Sequence, residues 1–361
     1  MTQTLRAGII GLSWIATDPA GPASSPALGT AHPYSHASAL AAEGSIDVVA
    51  VCDLREEARQ QYTERWGSLW PDTRLYSDGL ELLSNEDLDL VCVVTPDHLH
   101  AEYVLAAVDA GAPMIFCEKP LATSIDDADE IVRRTRAAGV TMAVNHTQRW
   151  KSEHAAAVGL VRSGDLGPVS QVIVTAGGPR AMLFRNLSHT LDLTSYLLDD
   201  DPAWVIAELE EGHEDYGLVY AGDGGRDPSF DPGANVMIGF KGGTRAYIAG
   251  MKSGSPDRSI DLLFEGGRVA IDTLGARVIR MPRTNDGTPG SVVGPTVSPL
   301  GGAGTVSGMQ AAVRDLVEAH RTGSQPTSSA FTAHRTVALL DAILRSQAEG
   351  SARVEVRELP A

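Results

Sequence analysis

Between Leu5 and His146 short apolar runs alternate with segments of helical period, and this alternation constrains the fold more than any other feature of the chain. The runs are "LRAGIIG", "DVVAVCD", "DLVCVVT", "PMIFCE" and "TMAVNH"; helical patterns span Glu56–Trp66, His100–Asp109 and Ser124–Ala138. An unbroken apolar strand needs cover on both faces, so the reading is α/β: a doubly wound parallel sheet between helices. Each run ends on a polar or turn residue, namely Gly11, Asp53, Thr95, Glu118 and Asn145. In open α/β sheets the ligand crevice lies outside those carboxyl ends. Lys119, in "FCEKPLATS", therefore stands at the rim of a cleft.

After Trp150 the rhythm changes. A helix over about Ser152–Ser163 leads into a strand, "PVSQVIVTAG", and then a helical stretch, "SHTLDLTSYLL". In "ANVMIGFKGGTRAYIAGM" and "SIDLLFEGGRVAID" a Gly-Gly pair separates strand patterns and reads as a hairpin turn. These meanders predict a large, mostly antiparallel open sheet with one face packed on a helix. Asn285–Gly308 is rich in Gly, Pro, Ser and Thr and reads as a long loop, followed by helices near Met309–His320 and Phe331–Gln347. The reading is two domains, 1–147 and 148–361, with the closing helices 309–347 expected to pack back toward the first. A length of 361 residues fits two domains.

The net charge of −17 argues against a nucleic-acid partner and against anionic membrane surfaces. No apolar run approaches the roughly 20 residues of a membrane span. The N-terminus enters a strand with no basic-then-apolar signal segment, and a cytoplasmic location is expected. Cys52, Cys92 and Cys117 lie in apolar stretches and read as small buried hydrophobes. With no His/Cys/Asp cluster at ligand spacing, no metal is predicted.

Gly11 holds the first position of a dinucleotide-binding turn, but Ser13 and Ala16 stand where G-x-G-x-x-G has its other glycines. Leu12, Ser13, Trp14 and Ile15 are the cofactor-binding candidates of this turn. At the next strand end Asp53, followed by Leu54, can accept from a ribose 2′-hydroxyl. Its charge repels a 2′-phosphate and favours NAD, while Arg55 keeps NADP open. The separation of Gly11 and Asp53 exceeds the usual ~20 residues. The excess is "SWIATDPAGPASSPALGTAHPY", whose four prolines and two glycines no regular helix can hold. It reads as a lengthened phosphate loop, with Asp18–Leu28 a rigid cover and the next helix starting near Ser35.

With these residues assembled, the chain resembles the glucose–fructose oxidoreductase/inositol dehydrogenase (Gfo/Idh/MocA) family. The likeness rests on "VVAVCDL", "TPDHLHAEYVLAAVDAG", "CEKPLA", "NHTQRW", "SGDLGPV", "SHTLDL" and "LLFEGGRVAID", in family order. The resemblance implies a Rossmann domain plus an α/β domain whose open sheet forms a homo-oligomer, dimer or tetramer. It places Thr95, Pro96, His100, Glu118 and Lys119 beside the nicotinamide, with Asn145 at the neighbouring strand end. Lys119 and His189 would be the catalytic pair, and Arg149 and Asp192 would lie beside the substrate. The implied reaction is hydride transfer between nicotinamide and a secondary alcohol or ketone of a sugar, sugar derivative or cyclitol. A cofactor-retaining lyase, isomerase or glycosidase stays open, as does a non-catalytic sugar-sensing regulator.

The residues support the chemistry independently. Hydride loss from an alcohol leaves a protonated carbonyl, so a base must take the hydroxyl proton. Low solvent access and nearby positive charge lower a lysine toward that task. His189 and Asp192, three apart, can share a helical face, so the aspartate could orient the imidazole. Trp150 could offer its face to a sugar ring. His98, His146 and His154 read as structural or supporting. The chain departs from the family four residues before His189, where Arg185 replaces the usual aspartate and Asn186 follows. Arg185 is expected to pair with Asp192 or with an anionic group on the substrate, and Asn186 to contact substrate.

Overall fold

The computed structural model describes residues 4–18, 35–212, 231–281, 294–301 and 308–359. The Asp18–Leu28 cover therefore lies, beyond Asp18, outside the described residues.

Six short strands form the first sheet: β1 (Leu5–Ile10), β2 (Ile46–Cys52), β3 (Arg74–Tyr76), β4 (Leu90–Val93), β5 (Met114–Cys117) and β6 (Thr141–Val144). All pair in parallel, in the order β3-β2-β1-β4-β5-β6. Successive strand residues enter opposite cores. Ile9, Leu90, Met114 and Phe116 pack on one face, and Ile10, Val91, Ile115 and Cys117 on the other. The order reverses between β1 and β4, which is where such sheets open a crevice. The three cysteines are buried here, and burial pushes the Cys52 thiol up to about 12.

The helices on these faces begin where the sequence offers caps. Ser35 accepts from Ser38 N and starts α2 (His36–Glu43); Ser124 accepts from Asp127 N and starts α6 (Ile125–Ala138). Between them lie α3 (Glu56–Trp66), α4 (Gly79–Asn85) and α5 (His100–Asp109). One expectation fails. The Pro-rich insertion opens with a single helical turn, α1 (Trp14–Thr17), because the first proline comes only at position 19. Asp18, before that proline, is extended (φ −64°, ψ 120°), and the turn stops there.

The second sheet has nine strands. They are β7 (Val169–Ala176), β8 (Pro202–Leu209), β9 (Ala234–Phe240), β10 (Arg245–Gly250), β11 (Arg258–Phe264), β12 (Gly267–Asp272), β13 (Gly275–Arg280), β14 (Thr296–Pro299) and β15 (Val354–Glu355). Their order is β14-β13-β12-β11-β7-β10-β9-β8-β15, and only β7–β10 is parallel. Both Gly-Gly segments make the expected hairpins, β9–β10 and β11–β12. The stretch read as one loop over Asn285–Gly308 contains β14, which pairs with β13 although all four of its residues are exposed. An edge strand with no buried face carries no alternating pattern to read.

One face of this sheet packs on α7 (Ser152–Ser163), α8 (Ser188–Leu198) and α10 (Ala330–Ala348). On the other face Ile173 and Tyr247, paired neighbours, are exposed. The remaining helix, α9 (Gly308–Thr322), returns to the first sheet, burying Met309, Val313 and Leu316 with Ile9 and Phe116.

Candidate active site

A cavity of about 920 Å³ opens where the carboxyl ends of the parallel strands meet the second sheet. Ser13, Trp14 and Ile15 border it from the turn after β1; Thr95, Pro96 and His100 from the end of β4; Glu118 and Lys119 from β5; and Asn145 from β6. Opposite them stand Arg185, Asn186 and His189, together with Lys151, His154 and Arg258.

The first-sheet side is closely held. Gly11 has φ +94°, and a Cβ there would lie 2.5 Å from the Val94 carbonyl, so only glycine lets the two strand ends approach. The Leu12 side chain is buried in the core, and its N–H donates to Asp53 Oδ2 at 3.0 Å. Asp53 also accepts from Arg55 Nε and Nη2, both at 3.0 Å. Gly11, Leu12, Asp53 and the exposed Leu54 are not on the cavity wall; they shape the strand ends behind it. His100 lies between two carbonyls, Nδ1 2.6 Å from Pro120 O and Nε2 3.0 Å from Thr95 O, tying β4 to β5. Glu118 meets His36 Nε2 at 3.0 Å and accepts from Asn145 Nδ2. Burial works to raise the Glu118 pKa, but the His36 and Asn145 contacts and the Lys119 charge outweigh it and hold it at about 2. A carboxylate so engaged is an anchor for the strand ends.

Two buried polar atoms on this side lack partners, Thr95 Oγ1 and Asn145 Oδ1. A buried polar atom without a hydrogen bond is costly. These two, at the ends of β4 and β6 on either side of β5, fit the amide and hydroxyl groups of a nicotinamide nucleotide.

Lys119 reaches across the cavity. Its Nζ donates to the Arg185 carbonyl at 2.6 Å. That carbonyl belongs to a π-helical turn, Leu183–Leu187, fixed from behind by buried Asp231, which accepts from the N–H groups of Phe184 (3.1 Å) and Arg185 (3.0 Å). Burial raises the Asp231 pKa to about 6 despite these bonds. Burial also lowers Lys119, a shift that Glu118 and Asp97 partly offset and Arg185 reinforces. His189, in the first turn of α8, is driven well below its ordinary value by burial and then by the charge of Lys119. Its imidazole is therefore neutral at neutral pH, and its buried Nδ1 has no partner. The arrangement offers a lysine with lowered pKa and a neutral imidazole to a molecule entering between them.

The structure redraws three expectations. Asp192 does not orient His189. Its carboxylate takes Arg149 Nε (2.8 Å) and Nη2 (2.7 Å), with His146 Nδ1 at 3.3 Å. The His146 ring comes between and meets His189 edge-on at 6.0 Å. Arg185 does not pair with Asp192, which is already engaged. Arg149, Trp150 and Asp192 do not line the cavity: Trp150 packs against the first-domain core, and Arg149 also donates to Thr327 O at 2.7 Å. Asn186 does border the cavity, with its Nδ2 on Arg180 O at 2.9 Å. Sequence reasoning missed His36, Lys151, Asp231 and Arg258. None sits in a motif, and only "NHTQRWK" put Lys151 beside residues already singled out.

Among the described residues no group of three or more His, Cys, Asp or Glu side chains could hold a metal ion, and no helix is long and apolar enough to cross a membrane.

Comparison with known proteins bears on the first domain most strongly. Residues 5–146 match the GFO_IDH_MocA model, described as an oxidoreductase family with an NAD-binding Rossmann fold. An inositol 2-dehydrogenase of Rhodococcus erythropolis is 34% identical over 147 residues, covering 38% of this chain and 42% of that protein. A 1,5-anhydro-D-fructose reductase of Ensifer adhaerens is 33% identical over 145 residues, 35% of this chain and 43% of that protein. The chain thus spans less than half the length of these two curated relatives. The crystal structure of an aldose-aldose oxidoreductase from Caulobacter crescentus, complexed with glycerol, shares the fold. Its TM-score is 0.74 over 98% of this chain and 100% of that one, at 22% identity.

Proposed function

We propose that this chain, whose residues 5–146 match the NAD-binding Rossmann model of the Gfo/Idh/MocA oxidoreductase family, moves a hydride between NAD(H) and a secondary alcohol or ketone of a sugar, sugar derivative or cyclitol. The observation that carries this reading is the meeting of Lys119 and His189 in one cavity beside the unpartnered Thr95 Oγ1 and Asn145 Oδ1. Thr95, Asn145 and the turn Ser13–Ile15 would hold the dinucleotide, whose nicotinamide supplies the hydride acceptor or donor.

The chain's own work is to orient the alcohol and to manage one proton. Lys119, lowered by burial, takes the hydroxyl proton in oxidation and returns it in reduction. The Arg185 carbonyl fixes the direction of its Nζ. Neutral His189 accepts or donates a second hydrogen bond at the reacting oxygen and adds no positive charge that would oppose the proton arriving on Lys119. Oxidation rate should therefore rise with pH through an apparent pKa below lysine's ordinary 10.5, and reduction should fall through the same value. The exposed sheet face carrying Ile173 and Tyr247 is the surface we assign to a homo-oligomer contact.

The test is a panel of sugars and cyclitols with NAD, run on the parent, Lys119→Ala and His189→Ala. Each substitution should cut turnover about 10²-fold or more while NADH binding stays near normal. Retention of most turnover by Lys119→Ala would refute the assignment.

A further inference from the structure

Lys151 and Arg258 line the substrate side of the cavity, where Lys119 also lies. Arg258 opens β11 opposite Ala176, and its Nη2 donates to Thr190 Oγ1 at 3.0 Å, one residue from His189. Lys151 stands just ahead of α7 and makes no side-chain cap there. Neither side chain has a carboxylate within ion-pair distance among the described residues. The acids that line the same cavity bond other groups, with Glu153 acting on Lys151 beyond ion-pair distance and Asp97 accepting the His98 N–H. Glu118 is held by His36 and Asn145, and Asp272 by Arg277. Asp257 accepts the backbone N–H of Arg258, and Glu153 meets the Ser152 hydroxyl.

Keeping two partly buried cations without a counterion costs stability, and a fold retains such a cost where a ligand removes it. Burial lowers the pKa of both, as that cost requires. A guanidinium beside an ammonium suits an oxyanion: the fork binds it in a plane and the point charge closes the third side. The turn Ser13–Ile15 follows β1 of the first sheet, whereas Lys151 precedes α7 and Arg258 opens β11, so the two cations belong to different elements from the turn assigned to the dinucleotide's phosphates.

We propose that Lys151 and Arg258 form an oxyanion subsite, so that the substrate is an acid-bearing sugar or polyol, a carboxylate or a phosphate ester, docked there with its carbinol at Lys119 and His189. This deepens the dehydrogenase reading and rests on it. It also moves anion recognition from Arg185, where the sequence placed it as one of two options, to the residue preceding α7 and the first residue of β11.

The test measures binding of glucose, glucuronate and glucose 6-phosphate, and of threitol and tartrate, with and without saturating NADH. At least one anion should bind roughly 10- to 100-fold tighter than its neutral counterpart. Lys151→Gln and Arg258→Gln should each erase most of that preference, leave NADH affinity unmoved and leave the melting temperature equal or higher. Should Arg258→Gln fail to fold, Lys151→Gln decides alone. Equal binding within every pair, a preference that survives both substitutions, or competition between the anions and NADH would overturn the subsite. Which anion wins separates carboxylate from phosphate. Failure of the underlying reading looks different: anions bind selectively, yet no member of a wider panel yields reduced nicotinamide.

Discussion

Arg149 is buried and Arg258 partly buried, and the fold treats these two guanidiniums in opposite ways. Arg149 is clamped in a plane by Asp192, meets Thr327 O, and lies with its guanidinium carbon 5.0 Å from the Tyr196 ring centre. It joins the turn after β6 to α8 and to the segment before α10. Arg258 has a single hydroxyl. A buried charge with its counterion in place is part of the architecture; one on a cavity wall without a counterion awaits a ligand. The resemblance had put Arg149 and Asp192 beside the substrate, and geometry assigns them to the strut.

The largest effect should come from breaking that strut. Arg149→Ala or Asp192→Ala leaves its partner buried and uncompensated, which costs about 3–5 kcal/mol. Replacing the pair together by Met and Leu should recover much of it, because the pair's own desolvation disappears too. Urea melts of the two singles and the double form a cycle that reads the coupling. Additive losses, or losses no larger than those of Lys151→Gln, would erase the contrast between strut and subsite.

Acid should weaken the same junction. Burial lowers His146 and His154 to about 4 against an ordinary 6.5, so the unfolded chain takes up protons that the folded one refuses. Each therefore removes stability as pH falls from 6.5 toward 4. Asp231, raised from 3.8 to about 6, acts in the opposite sense, losing stability as pH rises through that window, and offsets part of one histidine. Urea midpoints should drop between pH 6.5 and 4, and His146→Gln should flatten the slope. A flat profile in the parent would contradict the burial of these rings.

The fold was legible where local chemistry and packing agree. Ser35 caps a helix as read, the helical pattern read from Ser124 starts there, and the five apolar runs became five of the six strands of the first sheet. β3 and β14, with almost no buried residue between them, left no pattern to follow. The candidate site was legible only along its motif-bearing wall. Lys119 and His189 arrive from strand and helix ends that periodicity exposes. Lys151 and Arg258 acquire their meaning from what does not surround them, and a missing counterion is a property of three-dimensional packing. Asp231 is hidden for a related reason, since its partners are backbone N–H groups 46 and 47 residues earlier in the chain.

A smaller effect is expected at the far end of the cofactor side. Asp53→Ala removes a hydrogen-bond acceptor and a repulsive charge, and frees Arg55 from its carboxylate. NAD should weaken and the gap to NADP should narrow, by roughly tenfold for one charged hydrogen bond. Cofactor titrations by nicotinamide fluorescence check it, and an unchanged ratio would show that Asp53 only braces the Leu12 N–H.

The central claim, that this cavity passes a hydride while Lys119 carries the proton, is tested most directly by nicotinamide absorbance. Neutral and acid-bearing sugars are mixed with NAD and either the parent or Lys119→Ala across a pH series. The account predicts reduction of NAD by the parent with an acid-bearing substrate, rising with pH through an apparent pKa below 10.5, and loss of that limb in Lys119→Ala. A pH limb and rate that persist without Lys119 would contradict it.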